Sequence, residues 1–472
     1  MKSEEFRKNG HAFIDWMADY MDSVENFDVR SQVNPGDILS LLDDEPPLEG
    51  ELMENIFEDF KKKIIPGMTH WQHPSFFAYF PANSSPPSVL AEMLTSTLGA
   101  QCMLWQTSPA ATEMETRITG WLQKMTGLPT DLHGVIQDSA SSATLCALLT
   151  AREKATDWRT NKEGMNSLSS SLKVYTSEEA HSSTEKGAKI AGFGRDSVRL
   201  IRTGNNFEMC PEALRRTVVE DISNGHTPAC VVASMGTTGV GATDPLKAIG
   251  QLCKEYEIFL HVDAAWAGSA LILPEERWMA KGIEMADSIV FNPHKWLLTN
   301  FDCSAHYVKQ PELLIRTLSI LPEYLKSREQ DQVIDYRDWS VPLGRRFRAL
   351  KLWFVIRSYG VRGLQKIIRN HIKLAEYAAT WIDEDPEFEL VSPRSLSLLN
   401  FRFRPKNITK SADIDLLNED LLNKLNDSGC VYLTQNRVRG KFTIRWSIGQ
   451  TNTQLKHVEN AWSLIKRISS NL

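Results

Sequence analysis

The stretch Ile258-Phe259-Leu260-His261-Val262-Asp263-Ala264-Ala265-Trp266-Ala267-Gly268 points most directly to the architecture, because an apolar strand runs into an aspartate and then into small residues. A second stretch, Asn292-Pro293-His294-Lys295-Trp296, follows another short apolar run. If the two runs are neighbouring strands, Asp263 and Lys295 lie close together where the strands end. An acid and an amine held together in this way predict a binding site at this edge of the sheet.

Short apolar strands alternate with helical stretches from about residue 81 to residue 350. This alternation predicts an α/β fold with a mostly parallel sheet that is flanked by helices. Ligands of such sheets bind at the carboxyl ends of the strands, and Gly236-Thr237-Thr238-Gly239 also follows a strand there. The predicted strands are Leu172–Tyr175, Val198–Ile201, Cys230–Ser234, Ile258–Val262, Ser288–Phe291 and Ala305–Val308.

The two ends of the chain have a different pattern. Residues 4–24 predict a helix with an apolar face, which packs either on another domain or subunit or in the core of its own chain. The C-terminal part predicts helices at 345–359, 364–383 and 454–468 and strands at 396–403, 430–434 and 442–447. We therefore expect three parts: an N-terminal helical arm (1–80), a large domain (81–350) and a smaller C-terminal α/β domain (351–472).

Composition excludes several classes of partner. The 472 residues carry a net charge of -6, from 53 basic and 59 acidic side chains, so neither nucleic acid nor a membrane surface is expected as a partner. No signal peptide and no run of 18 apolar residues is found, which predicts a cytoplasmic protein. The seven cysteines form no Cys-x-x-Cys pair and no cluster with histidine, so we expect reduced thiols and no metal site.

A possible anion site lies in Gln137-Asp138-Ser139-Ala140-Ser141-Ser142-Ala143-Thr144-Leu145, where hydroxyl residues lead into an apolar helix. Amides at a helix N-terminus bind phosphate well, although such serines are also ordinary helix caps. Lys295 precedes the apolar Trp296-Leu297-Leu298, where burial would favour a nucleophilic amine. Asp263 as a helix cap and His181 as a structural histidine stay open as alternatives.

Six motifs, in this order, resemble the group II pyridoxal-phosphate decarboxylases, and among them the aromatic-L-amino-acid (DOPA-type) enzymes. The resemblance extends from about Phe6 to Leu364. It implies the type I pyridoxal-phosphate-dependent (aspartate aminotransferase-like) fold and a homodimer with active sites at the interface, in which the N-terminal arm wraps the partner subunit. The motifs are Asp138-Ser-Ala-Ser, Ala180-His-Ser-Ser, His261-Val-Asp-Ala-Ala, Asn292-Pro-His-Lys-Trp, Phe301-Asp-Cys-Ser and Pro342-Leu-Gly-Arg-Arg-Phe-Arg.

The resemblance also implies roles at a pyridoxal 5'-phosphate site. Lys295 is expected to carry the cofactor covalently, and Asp263 to pair with its ring nitrogen. His181 is expected to stack on one face of the ring, with Ala265 on the other. The expected phosphate contacts are Ser139, Ala140, Ser141 and Asn292, and further contacts to the cofactor are expected from Thr238 and His294.

Tyr324 distinguishes two activities within the resembling family. It lies in Leu321-Pro322-Glu323-Tyr324-Leu325-Lys326, which resembles the mobile catalytic loop, at about residues 319–335. There a tyrosine marks decarboxylases as the proton donor to Cα, whereas related aldehyde synthases carry phenylalanine. Tyr324 therefore favours simple decarboxylation.

The predicted function is that of a carboxy-lyase, which converts an aromatic L-amino acid to the arylalkylamine and CO2 within aromatic amino acid and carboxylic acid metabolism. DOPA, tyrosine, phenylalanine, tryptophan and 5-hydroxytryptophan all stay open as substrates. An aldehyde synthase and a noncatalytic protein that only binds the cofactor are the alternatives. Gly344 stands where animal-type histidine decarboxylases carry serine, which favours an aromatic substrate. The predicted substrate contacts are Trp71, Tyr79, Phe80, Pro81, Gln101, Met103 and Gly344.

Overall fold

The computed structural model describes residues 1–320 and 332–472. Its α-helices are α1 Ser3–Ser23, α2 Met53–Asp59, α3 Pro86–Leu98, α4 Pro109–Thr126, α5 Ala140–Ala155, α6 Arg159–Glu163, α7 Ser183–Ile190, α8 Pro211–Ser223, α9 Leu246–Glu255, α10 Pro293–Trp296, α11 Pro311–Leu318, α12 Arg348–Glu384, α13 Ser411–Asp427 and α14 Leu455–Ser469. Its strands are β1 His133–Gln137, β2 Leu172–Ser177, β3 Val198–Ile201, β4 Thr227–Ser234, β5 Phe259–Asp263, β6 Ser288–Phe291, β7 Ser304–Val308, β8 Phe388–Leu390, β9 Leu398–Phe403, β10 Thr434–Val438 and β11 Lys441–Ser447.

The chain divides into two compact units. The larger comprises residues 82–375 and 392–399, and the smaller comprises residues 1–81, 376–391 and 400–472. The smaller unit therefore contains both ends of the chain. The three-part division at residues 80 and 350 stays a prediction.

The larger unit contains a seven-stranded sheet in the order β1-β7-β6-β5-β4-β2-β3. Neighbours from β6 to β3 pair in parallel, whereas β7 pairs antiparallel with both β1 and β6. Every residue of β2, β5 and β6 is buried, as expected for central strands that helices cover on both faces. The predicted mostly parallel α/β sheet is thus confirmed.

Two features of this sheet were not predicted. The first is β1, whose first two residues, His133 and Gly134, are polar or small and interrupt the apolar pattern. The second is the antiparallel direction of β7, since alternation of strands and helices shows that a strand exists but not which way it runs.

The smaller unit contains a four-stranded sheet in the order β10-β11-β9-β8. The predicted strand at residues 430–434 is wrong, because the paired strand begins at Thr434. Val431 and Leu433 are buried at 2% and 1% exposure, and Tyr432 between them forms an isolated parallel bridge with Phe76, so the alternation belongs to an extended segment that pairs outside the sheet.

The helical segment α12 is interrupted at Gly360, which has φ 64° and ψ 165°. The interruption agrees with the two helices predicted on either side of that residue. Only glycine adopts this backbone conformation readily. Within the parts of the chain that the structure describes, no helix has both the length and the apolar character needed to cross a bilayer.

Candidate active site

A cavity of about 180 Å³ lies at the carboxyl ends of the parallel strands β4, β5 and β6. Its wall is formed by Ser139, Ala140, Ser141, His181, Ser183, Ser234, Gly236, Thr237, Thr238, Asp263, Ala265, Trp266, Asn292 and Lys295.

One end of the cavity is the N-terminus of α5. The Oγ of Ser139 accepts the backbone N–H of Ser142 at 3.2 Å, so Ser139 caps the helix. The cap and the anion site are compatible, because the other exposed amides of the first turn and the helix dipole still attract negative charge. The Oγ of Ser304 donates to the Oδ1 of Asn292 at 2.6 Å. This bond uses the acceptor of the carboxamide, so the group that Asn292 offers to an anion is its NH2 donor.

Asp263 is the last residue of β5 and is 8% exposed. Its Oδ1 accepts the backbone N–H of Ala265 at 3.0 Å. Pairing with Ser234 of β4 and Val290 of β6 fixes its backbone from both sides. A largely buried carboxylate at a cavity wall suits a cationic ligand group, because the opposite charge offsets the cost of burial.

His181 lies in the turn that leads from β2 into α7. Its Nδ1 is 2.8 Å from the Oγ of Ser183 and accepts the backbone N–H of Ser183 at 3.2 Å. The surrounding protein lowers the pKa of His181 by removing water, while Asp263 raises this pKa and Lys295 lowers it. The fold therefore brings the histidine, the aspartate and the lysine within electrostatic reach of one another.

Lys295 lies in α10, a single turn that directly follows β6 and Asn292. Its backbone N–H donates to the carbonyl of Asn292 at 2.9 Å. Asn83 makes two hydrogen bonds to the same turn. Its side-chain amide donates to the backbone carbonyl of Lys295, and its backbone N–H donates to the backbone carbonyl of His294 at 3.0 Å. The backbone that carries the lysine is thus held on both sides.

His294 is not part of the cavity wall in the described chain, although it neighbours Lys295. It is 3% exposed, and its Nδ1 accepts the N–H of Cys303 at 2.9 Å. Burial, and next the charge of Lys295, lower its pKa to about 3, so the ring is neutral. Its ring also packs against Phe301, with 4.6 Å between centroids. The expected contact of His294 with the cofactor stays a prediction.

The model of the pyridoxal-dependent decarboxylase conserved domain matches residues 35–404. The chain belongs to this family. The resemblance seen in the sequence and the dependence on pyridoxal phosphate are thereby confirmed, and the protein is a pyridoxal-phosphate-dependent decarboxylase.

Individual relatives cover almost the whole chain. Tyrosine decarboxylase 4 of Petroselinum crispum is 43% identical over 99% of this chain and 93% of its own length. Phenylacetaldehyde synthase of Arabidopsis thaliana is also 43% identical, over 100% of this chain and 97% of its own length. A crystal structure of Oryza sativa TDC with PLP and tryptamine has a TM-score of 0.96 and 35% identity, covering 100% of this chain and 99% of that chain. The predicted fold is confirmed.

The chemical groups that line the cavity of the decarboxylase suit the groups of pyridoxal phosphate. Hydroxyl groups and a helix N-terminus suit a phosphate, a carboxylate suits a protonated ring nitrogen, and a lysine amine can bond to an aldehyde. All predicted cofactor contacts except His294 line the cavity. They are Ser139, Ala140, Ser141, His181, Thr238, Asp263, Ala265, Asn292 and Lys295.

Three predicted substrate contacts of the decarboxylase belong to the larger unit but do not line this cavity. The Oε1 of Gln101 accepts a hydrogen bond from the backbone N–H of Arg345 at 2.7 Å. The backbone carbonyl of Met103 accepts one from the backbone N–H of Arg337 at 3.0 Å. A Cβ at Gly344 would lie 3.2 Å from the Nε2 of Gln101. Gln101 and Gly344 are therefore direct neighbours, so any side chain at 344 would compete with the glutamine for space.

The other four predicted substrate contacts belong to the smaller unit. The rings of Trp71 and Tyr79 stack with centroids 5.8 Å apart, and both side chains are partly exposed, at 37% and 50%. Phe80 is buried at 7% exposure, and Pro81 follows it. The Tyr79 hydroxyl is 3.2 Å from that of Tyr432, which lies 353 residues away along the chain and was not predicted as a site residue.

Five cavity residues of the decarboxylase were not predicted as contacts: Ser183, Ser234, Gly236, Thr237 and Trp266. Ser234 could have been found, because it ends the strand next to Asp263. At Gly236 φ is +79° and a Cβ would lie 2.4 Å from that of Ala267, so this wall of the cavity requires a glycine.

Proposed function

We propose that the protein decarboxylates an aromatic L-amino acid to the corresponding arylalkylamine and CO2. The observation that carries the proposal is one cavity that is lined by an amine (Lys295), a carboxylate (Asp263), an imidazole (His181) and a helix N-terminus with hydroxyl groups. When bound there, pyridoxal phosphate supplies an electron sink that accepts the electron pair left at Cα as CO2 departs.

The protein's own residues bind and orient the reactants. The first turn of α5 and Asn292 would hold the phosphate, and Asp263 would keep a proton on the ring nitrogen, because a nearby negative charge favours the protonated base. Lys295 would supply the amine that binds the cofactor, and His181 and Ala265, which both line the cavity, would contact its ring.

The aromatic substrate class rests on two kinds of support. The relatives named above include a tyrosine decarboxylase and a TDC that was crystallised with tryptamine. The stacked and partly exposed Trp71 and Tyr79 offer flat apolar surfaces to an aromatic side chain. We assign these two side chains, together with Phe80 and Pro81, to substrate binding.

Protonation of Cα is assigned to Tyr324, which lies outside the described residues. A proton donor at this point completes simple decarboxylation, because Cα regains a hydrogen in place of its carboxylate. Phenylacetaldehyde synthase, a relative of equal identity, makes the oxidative route the alternative outcome. Overall identity does not separate the two activities, whereas the tyrosine at 324 favours the amine.

The test is a product assay with purified protein, added pyridoxal phosphate and tyrosine, DOPA, tryptophan, 5-hydroxytryptophan or phenylalanine. We expect equal amounts of CO2 and amine from at least one substrate. Equal amounts of aldehyde, ammonia and peroxide would assign an aldehyde synthase, and absence of turnover with every substrate would assign a protein that only binds the cofactor. A Lys295→Ala variant controls for reactions of free cofactor.

The proposal includes a homodimer. Four apolar side chains of α3, Leu90, Met93, Leu94 and Leu98, are 52%, 37%, 47% and 65% exposed. Their spacing places them on one helix face, and a contiguous exposed apolar stripe is typical of an interaction surface. Leu94→Asp should shift the mass in analytical ultracentrifugation from dimer to monomer, and Ser96→Asp, at an exposed position off this face of the same helix, serves as the control for added charge. If the Leu94→Asp protein stays dimeric, this face of α3 is not part of the dimer interface.

A cytoplasmic location is also part of the proposal. All seven cysteines are free, and five of them are buried, as expected for a protein kept in a reducing compartment. Fluorescent tagging at either end, with microscopy, tests the location.

A further inference from the structure

We infer that Ser183 is a positioning residue that fixes the neutral ring of His181 as the Nε2–H tautomer, so that His181 faces the substrate as a hydrogen-bond donor and not as a base. The inference rests on the proposed function for its substrate, and it concerns a serine that the sequence analysis did not identify as a site residue.

The geometry at Nδ1 selects the tautomer. The backbone N–H of Ser183 donates to Nδ1 at 3.2 Å, and the hydroxyl of the same residue lies 2.8 Å from Nδ1. An N–H cannot donate to a nitrogen that itself carries hydrogen, so Nδ1 holds the lone pair and the hydrogen of the neutral ring resides on Nε2. The hydroxyl of Ser183 then also donates to Nδ1.

The serine side of the contact is buried and lies at the start of a helix. Ser183 is 6% exposed and is the first residue of α7, which ties it to the helix. The next residue, Thr184, is 1% exposed, and its N–H donates to the carbonyl of His181 at 3.1 Å. The N-terminus of α7 thus holds both the backbone carbonyl and the side-chain Nδ1 of His181.

The charges that act on the ring come from β5 and α10. Asp263 raises the pKa of His181 and Lys295 lowers it, while loss of water is the largest effect and lowers it. The lone pair at Nδ1 accepts two donors of Ser183, which further stabilises the neutral ring.

This tautomer limits what His181 can do. Its Nε2 already carries a hydrogen and its only lone pair is engaged by Ser183, so it cannot take a proton from a group in the cavity. It can donate a hydrogen bond to an oxygen of the substrate carboxylate. Loss of CO2 breaks the bond from Cα to the carboxyl carbon, the electron pair stays with Cα, and His181 needs neither to gain nor to lose a proton in that step.

The first test reads the tautomer without any reaction. Protein labelled with 15N-histidine, free of cofactor and sedimented, is examined by solid-state NMR, and the signals of His181 are assigned by their loss in His181→Gln. We expect a protonated, pyrrole-type Nε2 and an unprotonated, pyridine-type Nδ1 at neutral pH. A pyrrole-type Nδ1, or two protonated nitrogens, would overturn the inference.

The second test removes the hydroxyl alone. Ser183→Ala should raise the pKa of His181, read from the same 15N signals, by about 0.5–1 pH unit, the size expected from one ordinary hydrogen bond. Ser183→Thr keeps a hydroxyl and should restore the original value, and the adjacent exposed Ser182→Ala should leave it unchanged. An unchanged pKa in a folded Ser183→Ala protein contradicts the role of the hydroxyl.

The outcomes separate this inference from the proposed function. A protein that releases amine and CO2 normally but holds His181 as the Nδ1–H tautomer refutes only the inference. A protein with the expected tautomer that decarboxylates no aromatic amino acid refutes only the proposed function.

Discussion

Replacing Arg345 by methionine should destabilise the larger unit severely, because Arg345 forms a buried ion pair with Glu115. The two side chains are each 3% exposed, and the Nη2 of Arg345 lies 2.6 Å from the Oε1 of Glu115. Arg345 also donates to the carbonyl of Ile136 at 3.0 Å, at the end of the strand that leads to the Ser139 turn. The pair therefore supports the backbone that leads to the predicted phosphate site.

The size of the effect follows from burial. At an effective dielectric constant of about 20, two unit charges 2.6 Å apart attract by roughly 6 kcal/mol. Removal of one partner also leaves the other charge buried without compensation, and such changes cost about 3–5 kcal/mol. Glu115→Gln keeps an oxygen that can accept the N–H of Ile136, which Glu115 now accepts at 2.8 Å. The double variant Arg345→Met with Glu115→Gln should therefore regain about 2 kcal/mol relative to Arg345→Met.

The assay is urea denaturation at one saturating concentration of pyridoxal phosphate, because bound ligand adds to the apparent stability. Arg215→Met is the matched control, since Arg215 pairs with Glu255 at 2.7 Å but both side chains are about half exposed. Exposed pairs contribute little, so this variant should unfold at nearly the wild-type concentration of urea. Equal midpoints for Arg345→Met and Arg215→Met, or a double variant less stable than Arg345→Met, would refute the reasoning from burial.

Three further predictions concern the chemistry and the pH response. Lys295→Ala should carry no pyridoxal phosphate after borohydride reduction and denaturation, because the amine that the reduction would fix to the cofactor is gone; labelling equal to wild type would contradict the assignment. Tyr324→Phe should slow release of amine and let aldehyde and peroxide appear in the product assay, whereas wild-type product ratios would remove its role as proton donor. Burial lowers the pKa of His306 from 6.5 to about 3 in the folded protein. Below pH 6.5 the unfolded chain therefore binds more protons than the folded protein. The free energy of unfolding then falls by about 1.4 kcal/mol for each pH unit between pH 6.5 and 3. His306→Phe should flatten the fall in urea midpoint between pH 7 and pH 5, and an unchanged slope would show that His306 is not its source.

The central part of the fold could be predicted because burial there is nearly complete. Strand β6, in which every residue is buried, has the bounds that were read from the sequence; Asp263 ends β5, and Asn292 directly follows β6. In β6 the unbroken apolar run Ile289-Val290-Phe291 is ended by the polar Asn292, and that pattern has one simple structural meaning. Nine of the ten predicted cofactor contacts line one cavity where strands of this sheet end, and their contact with the cofactor stays a prediction.

Features that depend on pairing across the chain could not be predicted in this way. The direction of β7 is set by its neighbours, and the segment before Thr434 alternates like a strand although it pairs with Phe76 through a single bridge outside the sheet. The contact between Tyr79 and Tyr432 joins residues far apart in sequence, and no local pattern marks either of them as a partner of the other. The hydrogen bonds of Ser183 to His181 are local, but their consequence depends on which ring nitrogen turns toward the serine.

The distinction between amine and aldehyde as the product has a different basis from the fold and the cofactor site. A tyrosine decarboxylase and a phenylacetaldehyde synthase share equal identity with this chain over nearly its full length. Anchoring of the cofactor, charge at its ring nitrogen and removal of CO2 are needed by both reactions, so the cavity alone does not discriminate between them. The discriminating step is what happens at Cα after CO2 has left, and a proton donor at that moment leads to the amine. We propose Tyr324 as that donor, whereas His181 and Ser183 belong to the cavity that both reactions need.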